Sequence, residues 1–149
     1  MNVILYESNF MIEFSSLKQV PKNFNGKCLI ISDKSIRSYK DGALHNEFDP
    51  AVININGIKQ WYLNGLRHRI GGPAVEEMWT HKYYIHGLLH REDGPAIENA
   101  SHDRGMFMFR GKDYGLFDEN KREYKTLSIE EWKEKVKELK REEELKIFK

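Results

Sequence analysis

Six histidines lie in the middle of this chain, and their spacing raises the question of a metal site. Three of them follow a glycine by three residues and recur every 22 or 23 residues, namely His45, His68 and His90. If each belongs to its own hairpin, equivalent histidines lie about 10 Å apart, which is two strand spacings. Zinc ligands sit within about 2.3 Å of the ion. We therefore expect each imidazole to hydrogen-bond backbone in its own turn.

The remaining histidines (His81, His86 and His102) also lack a recognisable ligand motif. His81 and His86 are five residues apart, a spacing that matches no helical metal motif. The sequence has no glycine-rich phosphate loop, no Gly-x-Ser-x-Gly and no His-Glu-x-x-His. The prediction is therefore that the protein uses no metal and no cofactor.

An acid/base pair is conceivable around His90, where Glu92 and Asp93 follow closely. The same chemistry is not repeated in the preceding unit, which has His68 and Gly71 at the matching positions. A salt bridge within the turn explains these residues more simply than catalysis does. We predict no catalytic residue and keep a small hydrolase using His90 and Asp93 as the second alternative function.

The histidines belong to an internal repeat, which decides the architecture. Each unit has a glycine turn, and Pro-Ala followed by Val or Ile comes five residues after the histidine; the glycines are Gly42, Gly65, Gly87 and Gly111, and the prolines are Pro50, Pro73 and Pro95. Proline is tolerated at the first position of a strand, and Asn56-Gly57 is a strong hairpin signal. We predict a mainly β protein in which residues 35–117 form an antiparallel meander of stacked hairpins.

Two flanking segments complete the predicted domain organisation. Residues 1–34 contain short apolar runs and are predicted to be a β cap, with Cys28 buried in a strand as a small hydrophobe. Residues 128–149 are predicted to be an amphipathic helix with a capping box of Ser128 and Glu131. Its first half should pack on the sheet. Leu145 and Phe148 point away from the apolar stripe, so the second half projects or meets a partner, including a second copy of the chain.

Alternation along the aromatic strands separates two faces of the predicted sheet. One face is apolar in every unit and is predicted to be the core side; it carries Trp61 and Leu63, then Tyr83 and Ile85, then Phe107 and Phe109. The other face carries a column of Tyr39, Tyr62, Tyr84 and Met108. Tyr and Met are enriched at protein interfaces. This column is either a partner-binding surface or is covered by the terminal helix or the N-terminal strands.

The net charge of +1 excludes a non-specific nucleic-acid binder and a polybasic membrane binder. Arg69 and Arg91 occupy equivalent positions and could contact a phosphate or an acidic partner, or lie as a lid over an aromatic ring. A nucleic-acid or nucleotide binder is therefore the first alternative function, with Tyr62 and Tyr84 stacking on bases.

The repeat motif resembles the MORN repeat, a hairpin with an aromatic–Asn-Gly–x–x–His–x–x–Gly core. The resemblance covers positions 39–115 and rests on Asn64-Gly65-Leu66-Arg67-His68 and Gly87-Leu88-Leu89-His90. His-Arg replaces the usual His-Gly, and Gly-Pro-Ala follows, as in variant repeats of bacterial antitoxin-like, phage and large-virus proteins. The resemblance implies a non-enzymatic module that binds a partner protein, acting as an inhibitor, antitoxin or adaptor.

The location of the protein is predicted from its composition. One cysteine excludes an intrachain disulfide and favours a reducing compartment. The start lacks a signal-peptide pattern, and no apolar run approaches the length of a membrane span. The expectation is a cytoplasmic protein, in the host cytoplasm if it is viral.

Overall fold

The computed structural model describes residues 2–6, 9–119 and 126–147 and confirms a mainly β fold with one C-terminal helix. The strands are β1 (Asn2–Tyr6), β2 (Asn9–Phe14), β3 (Gly26–Ile30), β4 (Ser35–Lys40), β5 (Ala43–Leu44), β6 (Val52–Asn54), β7 (Lys59–Gln60), β8 (Tyr62–Leu63), β9 (Leu66–Arg67), β10 (Val75–Glu76), β11 (Thr80–Lys82), β12 (Tyr84–Ile85), β13 (Leu88–Leu89), β14 (Ile97–Asn99), β15 (Arg104–Phe109) and β16 (Lys112–Asp118). The helix is α1 (Ile129–Ile147), and a 3-10 turn spans Leu17–Gln19.

One long sheet runs through the described residues in the order β1-β2-β3-β4-β6-β7-β10-β11-β14-β15-β16, with β5 paired to β4. Its repeat part is antiparallel, as predicted. One pair departs from the antiparallel meander, because β2 and β3 run parallel. The chain crosses over between these two strands through the 3-10 turn. Turn residues in this connection do not specify which strands pair, because the parallel pairing depends on packing.

The N-terminal strands have a small core of their own. Phe14, Cys28 and Ile30 are buried, and Phe24 and Tyr39 pack against them. Burial raises the pKa of the Cys28 thiol to about 11, so this cysteine is an unreactive core residue, as predicted. The backbone N–H of Gly42 donates to the carbonyl of Phe24 and ties this segment to the first repeat unit.

The predicted aromatic strands of the second and third units are each divided between two ladders. In the second unit, β7 belongs to the long sheet, whereas β8 pairs with β9 in a separate hairpin. Trp61 is the point of division: its N–H donates to the Ala74 carbonyl and its own carbonyl accepts from His68. Tyr83 divides β11 from β12 in the same way. The repeat pattern predicts one aromatic strand from Gln60 to Leu63, and this prediction is wrong, because the chain changes hydrogen-bonding partner at Trp61.

The helix begins and packs as the sequence predicts. Glu131 N–H donates to the Ser128 hydroxyl, and Ser128 N–H donates to the Glu131 carboxylate, which is the predicted capping box. Trp132, Val136 and Leu139 are buried against Phe107 and Phe109. The helix therefore covers, in the last unit, the face predicted to be the core side. Among the described residues, no helix combines the length and hydropathy needed to cross a bilayer.

A β-bulge in β16 interrupts the regular pairing of the last unit. Phe107 pairs with Gly115 and Met108 with Asp113, so Tyr114 is the extra residue. An extra residue in one strand bends that strand and increases its local twist. On the neighbouring β15, Phe107, Met108 and Phe109 are all buried, so Met108, predicted as a contact residue, presents almost no surface.

Candidate functional site

Arg69 lies over the Trp61 ring and is held there by further contacts. Its guanidinium carbon lies 3.7 Å from the centre of the Trp61 ring, and its Nη1 donates to the Pro73 carbonyl at 3.1 Å and to Glu76 at 2.7 Å. A Cβ added to Gly72 would lie 3.0 Å from the guanidinium carbon. The aromatic ring, the glycine and the glutamate thus enclose the cation, an arrangement we call the arginine clamp.

The same clamp recurs one unit later around Arg91. Its guanidinium carbon lies 4.0 Å from the centre of the Tyr83 ring, and Nη1 donates to the Pro95 carbonyl and pairs with Glu98 at 2.9 Å. A Cβ on Gly94 would lie 3.0 Å from the guanidinium carbon. The clamp explains the spacing of Arg, Gly-Pro-Ala and Glu that the two units share.

The first and last units show what happens when the clamp is changed. In the first unit all four of its residues differ together: Ser38 replaces the aromatic ring, Asn46 the arginine, Asp49 the glycine and Ile53 the glutamate. In the last unit the Trp132 indole of α1 stacks on Phe107, with ring centres 4.9 Å apart, and its Nε1 donates to the Arg91 carbonyl. The helix therefore takes over the covering role of the arginine.

The clamp determines how Arg69 and Arg91 can act. Both were predicted as partner-binding residues or as lids over an aromatic ring, and both lie as lids. The side chains of Arg69 and Arg91 are 32% and 22% exposed to solvent, respectively. Their charges are balanced within the chain by Glu76 and by Glu98 with Asp93.

The repeated histidines link successive units. The Nδ1 atoms of His45, His68 and His90 accept the backbone N–H of Asn64, His86 and Arg110 at 3.1, 3.2 and 3.1 Å. The prediction of backbone hydrogen bonding is confirmed, but the bonded turn is that of the next unit and not the histidine's own. Burial lowers the pKa of His68, and the adjacent His86 lowers it further. Burial also lowers the pKa of His90, although Glu92 opposes this shift.

The predicted tyrosine column is mostly enclosed. Tyr39 packs against Phe24, with ring centres 5.9 Å apart. Tyr62 and Tyr84 are half-buried on either side of Arg67, whose guanidinium carbon lies 5.9 and 5.4 Å from their ring centres. Met108, at the end of the column, is only 8% exposed. The column therefore contributes to packing between units and presents little surface of its own.

One groove between two loops bears on the hydrolase alternative. A groove of about 490 Å³ lies between the loop that follows β9 and the loop that follows β13, and His90 and Asp93 are among its lining residues. The two side chains have separate partners, because Asp93 accepts from Arg91 at 2.8 Å whereas His90 Nε2 lies 3.5 Å from Glu92. The structure does not join His90 and Asp93 into an acid/base pair.

Large apolar side chains are exposed at one end of the long sheet. Ile55 lies in the β6–β7 turn, and Met78 and Trp79 lie in the β10–β11 turn, with exposed fractions of 68%, 71% and 74%. The two turns come from neighbouring hairpins of the sheet, so their tips are about 10 Å apart. We call these three residues the hairpin-tip surface. Sequence analysis missed them, although apolar residues in positions that are usually polar turns are a usable signal.

The other predicted contact residues lie elsewhere. Leu145 is 67% exposed near the end of α1, next to Ile147 at 80%, whereas Phe148 lies outside the described residues. Phe48 and Ile70 are exposed in the loops at the opposite end of the sheet from the hairpin tips. His81, Glu98 and His102 form a cluster that brings together histidines from two hairpins.

No family model matches this chain, and no curated protein or solved structure is significantly similar to it. The resemblance to MORN repeats therefore rests on the repeat motif alone.

Proposed function

We propose that this chain is a non-enzymatic protein-binding module that engages its partner through the hairpin-tip surface. The observation that supports this is the exposure of Ile55, Met78 and Trp79 on adjacent turns. Exposed apolar clusters are a feature of interaction sites, and Trp and Met are enriched at interfaces. A partner with an apolar pocket of matching spacing fits this surface.

The turns that carry these residues are ordered by their own hydrogen bonds. The Asn54 side chain accepts from the backbone of Asn56 and Ile58, each at 3.0 Å. In the neighbouring turn, Glu77 N–H donates to the Thr80 carbonyl, and Lys82 pairs with Glu77 at 3.0 Å. A surface that is already ordered loses less conformational entropy on binding.

Protein binding is favoured over the two alternatives by the placement of their key residues. A nucleotide or nucleic-acid site would use Arg69 and Arg91, whose charges are already balanced within the clamps. A hydrolase would use His90 and Asp93, which have separate partners. The more specific proposal, that the protein is an inhibitor, antitoxin or adaptor of viral or bacterial origin, rests on the resemblance of its repeat to MORN repeats. The proposed cytoplasmic location rests on the single buried Cys28.

We also propose self-association through α1, where Leu145 is 67% exposed near the end of the helix. Sedimentation equilibrium of the wild-type chain and of Leu145→Ser tests this directly. A wild-type mass above that of one chain, reduced by the substitution, is expected. A monomeric wild type at high concentration contradicts self-association and leaves the hairpin-tip proposal intact.

The hairpin-tip proposal is tested by affinity capture from the native host with the immobilised full chain. Trp79→Ser should abolish capture of the enriched protein, because it removes a large exposed anchor. Ile70→Ser is the matched control: it changes an exposed apolar residue of 82% exposure at the other end of the sheet and should leave capture unchanged. Equal capture by wild type and Trp79→Ser contradicts the proposal, as does enrichment of RNA or DNA in place of a protein.

A further inference from the structure

Three side chains with metal-binding atoms converge beside the β14–β15 turn. His81 on β11 is the direct cross-strand partner of Glu98 on β14, and His102 lies in the turn four residues after Glu98. One donor atom from each, two imidazole nitrogens and one carboxylate oxygen, lie within 4.8 Å of one another. Sequence spacing alone does not show this group, because the two histidines come from different hairpins.

The carboxylate of this cluster is buried and oriented. Glu98 is only 4% exposed. Its Oε2 pairs with Arg91 Nη1 at 2.9 Å, and its Oε1 accepts from the Tyr83 hydroxyl at 2.7 Å. Oε1 also lies 3.0 Å from His102 Nδ1. Arg91 and Tyr83 therefore hold the carboxylate so that Oε1 faces the histidines, as outer-shell partners hold ligands in metal sites.

The repeat does not require either histidine of the cluster. In the preceding unit the glutamate of the clamp is Glu76, its partner on β7 is Lys59, and Thr80 follows it by four residues. The packing of a unit is therefore satisfied without a histidine at either position. By contrast, His45, His68 and His90 recur because they link successive turns. His81 and His102 are a local departure from the repeat.

We propose that His81, Glu98 and His102 bind a divalent transition-metal ion with the ligand preference of zinc. Two imidazoles and one carboxylate suit zinc better than magnesium or calcium, which prefer oxygen ligands. Zinc bonds of about 2.0–2.2 Å place the ligand atoms of a tetrahedral site about 3.4 Å apart. The three donor atoms now lie within 4.8 Å of one another, and rotation of the side chains brings them to the shorter distance. Three protein ligands leave one position for water or for a ligand from a partner, and the ion connects β11, β14 and the turn after β14.

The test uses the untagged full chain, stripped with EDTA and titrated with ZnCl₂ by isothermal calorimetry. We expect one tight zinc ion per chain. His102→Asn should weaken binding by at least about 100-fold, since it removes a ligand, a larger change than the loss of an outer-shell partner. Asn is suited to this position because φ of His102 is +59°.

The matched control is His86→Asn, which removes a turn histidine that also has a positive φ of +47°. The preceding unit already has Asn64 at that position, so the fold should tolerate the change. His86 lies near His68, with ring centres 4.4 Å apart, and the control therefore also reports on zinc binding by that pair. Zinc affinity of His86→Asn should equal that of the wild type.

A measurement on the wild-type chain identifies the ligands without any substitution. In ¹⁵N-labelled protein, the ring nitrogen signals of His81 and His102 should shift on zinc addition, and those of His68 and His86 should not. Absence of saturable zinc binding overturns the proposal. It is equally overturned if His102→Asn binds like the wild type, or if the shifted signals belong to other histidines. Each result is independent of whether the hairpin-tip surface binds a protein.

Discussion

At the scale of single residues, the two arginine clamps differ in how deeply their carboxylate is buried. Glu98, the partner of Arg91, is 4% exposed, whereas the side chain of Glu76, the partner of Arg69, is 30% exposed. A buried carboxylate that loses its cation cannot regain that stabilisation from water. The same substitution should therefore have unequal effects in the two units.

We predict that Arg91→Met lowers the free energy of unfolding by about 3–5 kcal/mol, because it leaves the Glu98 charge buried. Arg69→Met is the matched variant and should cost about 1 kcal/mol, the scale of an exposed ion pair with a cation–π contact. Urea denaturation of both variants measures the difference. Equal losses would contradict the role given to burial, and adding Glu98→Gln to Arg91→Met should recover part of the loss.

The histidine links predict a stability that falls in acid. The pKa of His68 and of His90 is lowered in the folded state from the ordinary value of 6.5. Well above pH 6.5 these two histidines are neutral in both the folded and the unfolded state and add no pH dependence to the stability. As the pH falls below 6.5 the unfolded chain takes up protons first, so stability decreases until the folded pKa is passed.

Melting temperatures measured in EDTA from pH 8 to pH 5 should therefore fall below about pH 6.5. His68→Asn should give a shallower fall, because an amide oxygen accepts a hydrogen bond without titrating. A melting temperature that stays level or rises over this range is inconsistent with neutral histidine acceptors.

At the scale of elements, the β4–β5 turn locks the N-terminal strands to the repeat. Gly42 has a φ of +78°, and a Cβ there would lie 1.6 Å from the backbone oxygen of Lys22. Gly57, in the β6–β7 turn, has a similar φ of +76°, but apart from Gly57 and its two chain neighbours no described residue has an atom within 4 Å of its Cβ position. The same substitution in the two turns therefore distinguishes the cost of backbone strain alone from the cost of strain with steric overlap.

We expect Gly57→Ala to cost about 1–2 kcal/mol, the strain of a left-handed residue with a side chain. Gly42→Ala adds overlap with backbone that cannot move aside cheaply, and should cost at least about 3 kcal/mol or prevent folding. Denaturant unfolding of both variants compares them. Similar costs would show that the contact between Gly42 and Lys22 is dispensable.

At the scale of the whole molecule, α1 closes the last repeat unit. A stacked repeat leaves its final unit without a neighbour, and terminal units need a cap. Trp132 provides this cap because it is fully buried, stacks on Phe107 and donates to the Arg91 carbonyl. Stability of the sheet should therefore depend on the helix.

Trp132→Ala should reduce the free energy of unfolding by about 3–5 kcal/mol, as expected for a large core residue. Trp79→Ala is the control, since Trp79 is 74% exposed and its loss should change stability by less than about 0.5 kcal/mol. Circular dichroism during urea unfolding measures both. Comparable effects of the two substitutions would contradict the capping role of the helix.

The local pattern of residues was sufficient for the repeat, its turns and the helix. Pro-Ala-Val/Ile, the glycine turns and the box of Ser128 and Glu131 are short-range signals, because turn and cap geometry depends on neighbouring residues. The burial of the Trp61 ring was also recognisable from the alternation of its strand.

Long-range pairing decided the rest. The parallel pairing of β2 with β3, the division of strands at Trp61 and the bulge at Tyr114 depend on which strands meet. The clamps and the His81–Glu98–His102 cluster join residues of different strands through the sheet register. Residue spacing specifies each hairpin by itself, whereas the contacts between hairpins arise only when they stack, and the candidate sites lie at those contacts.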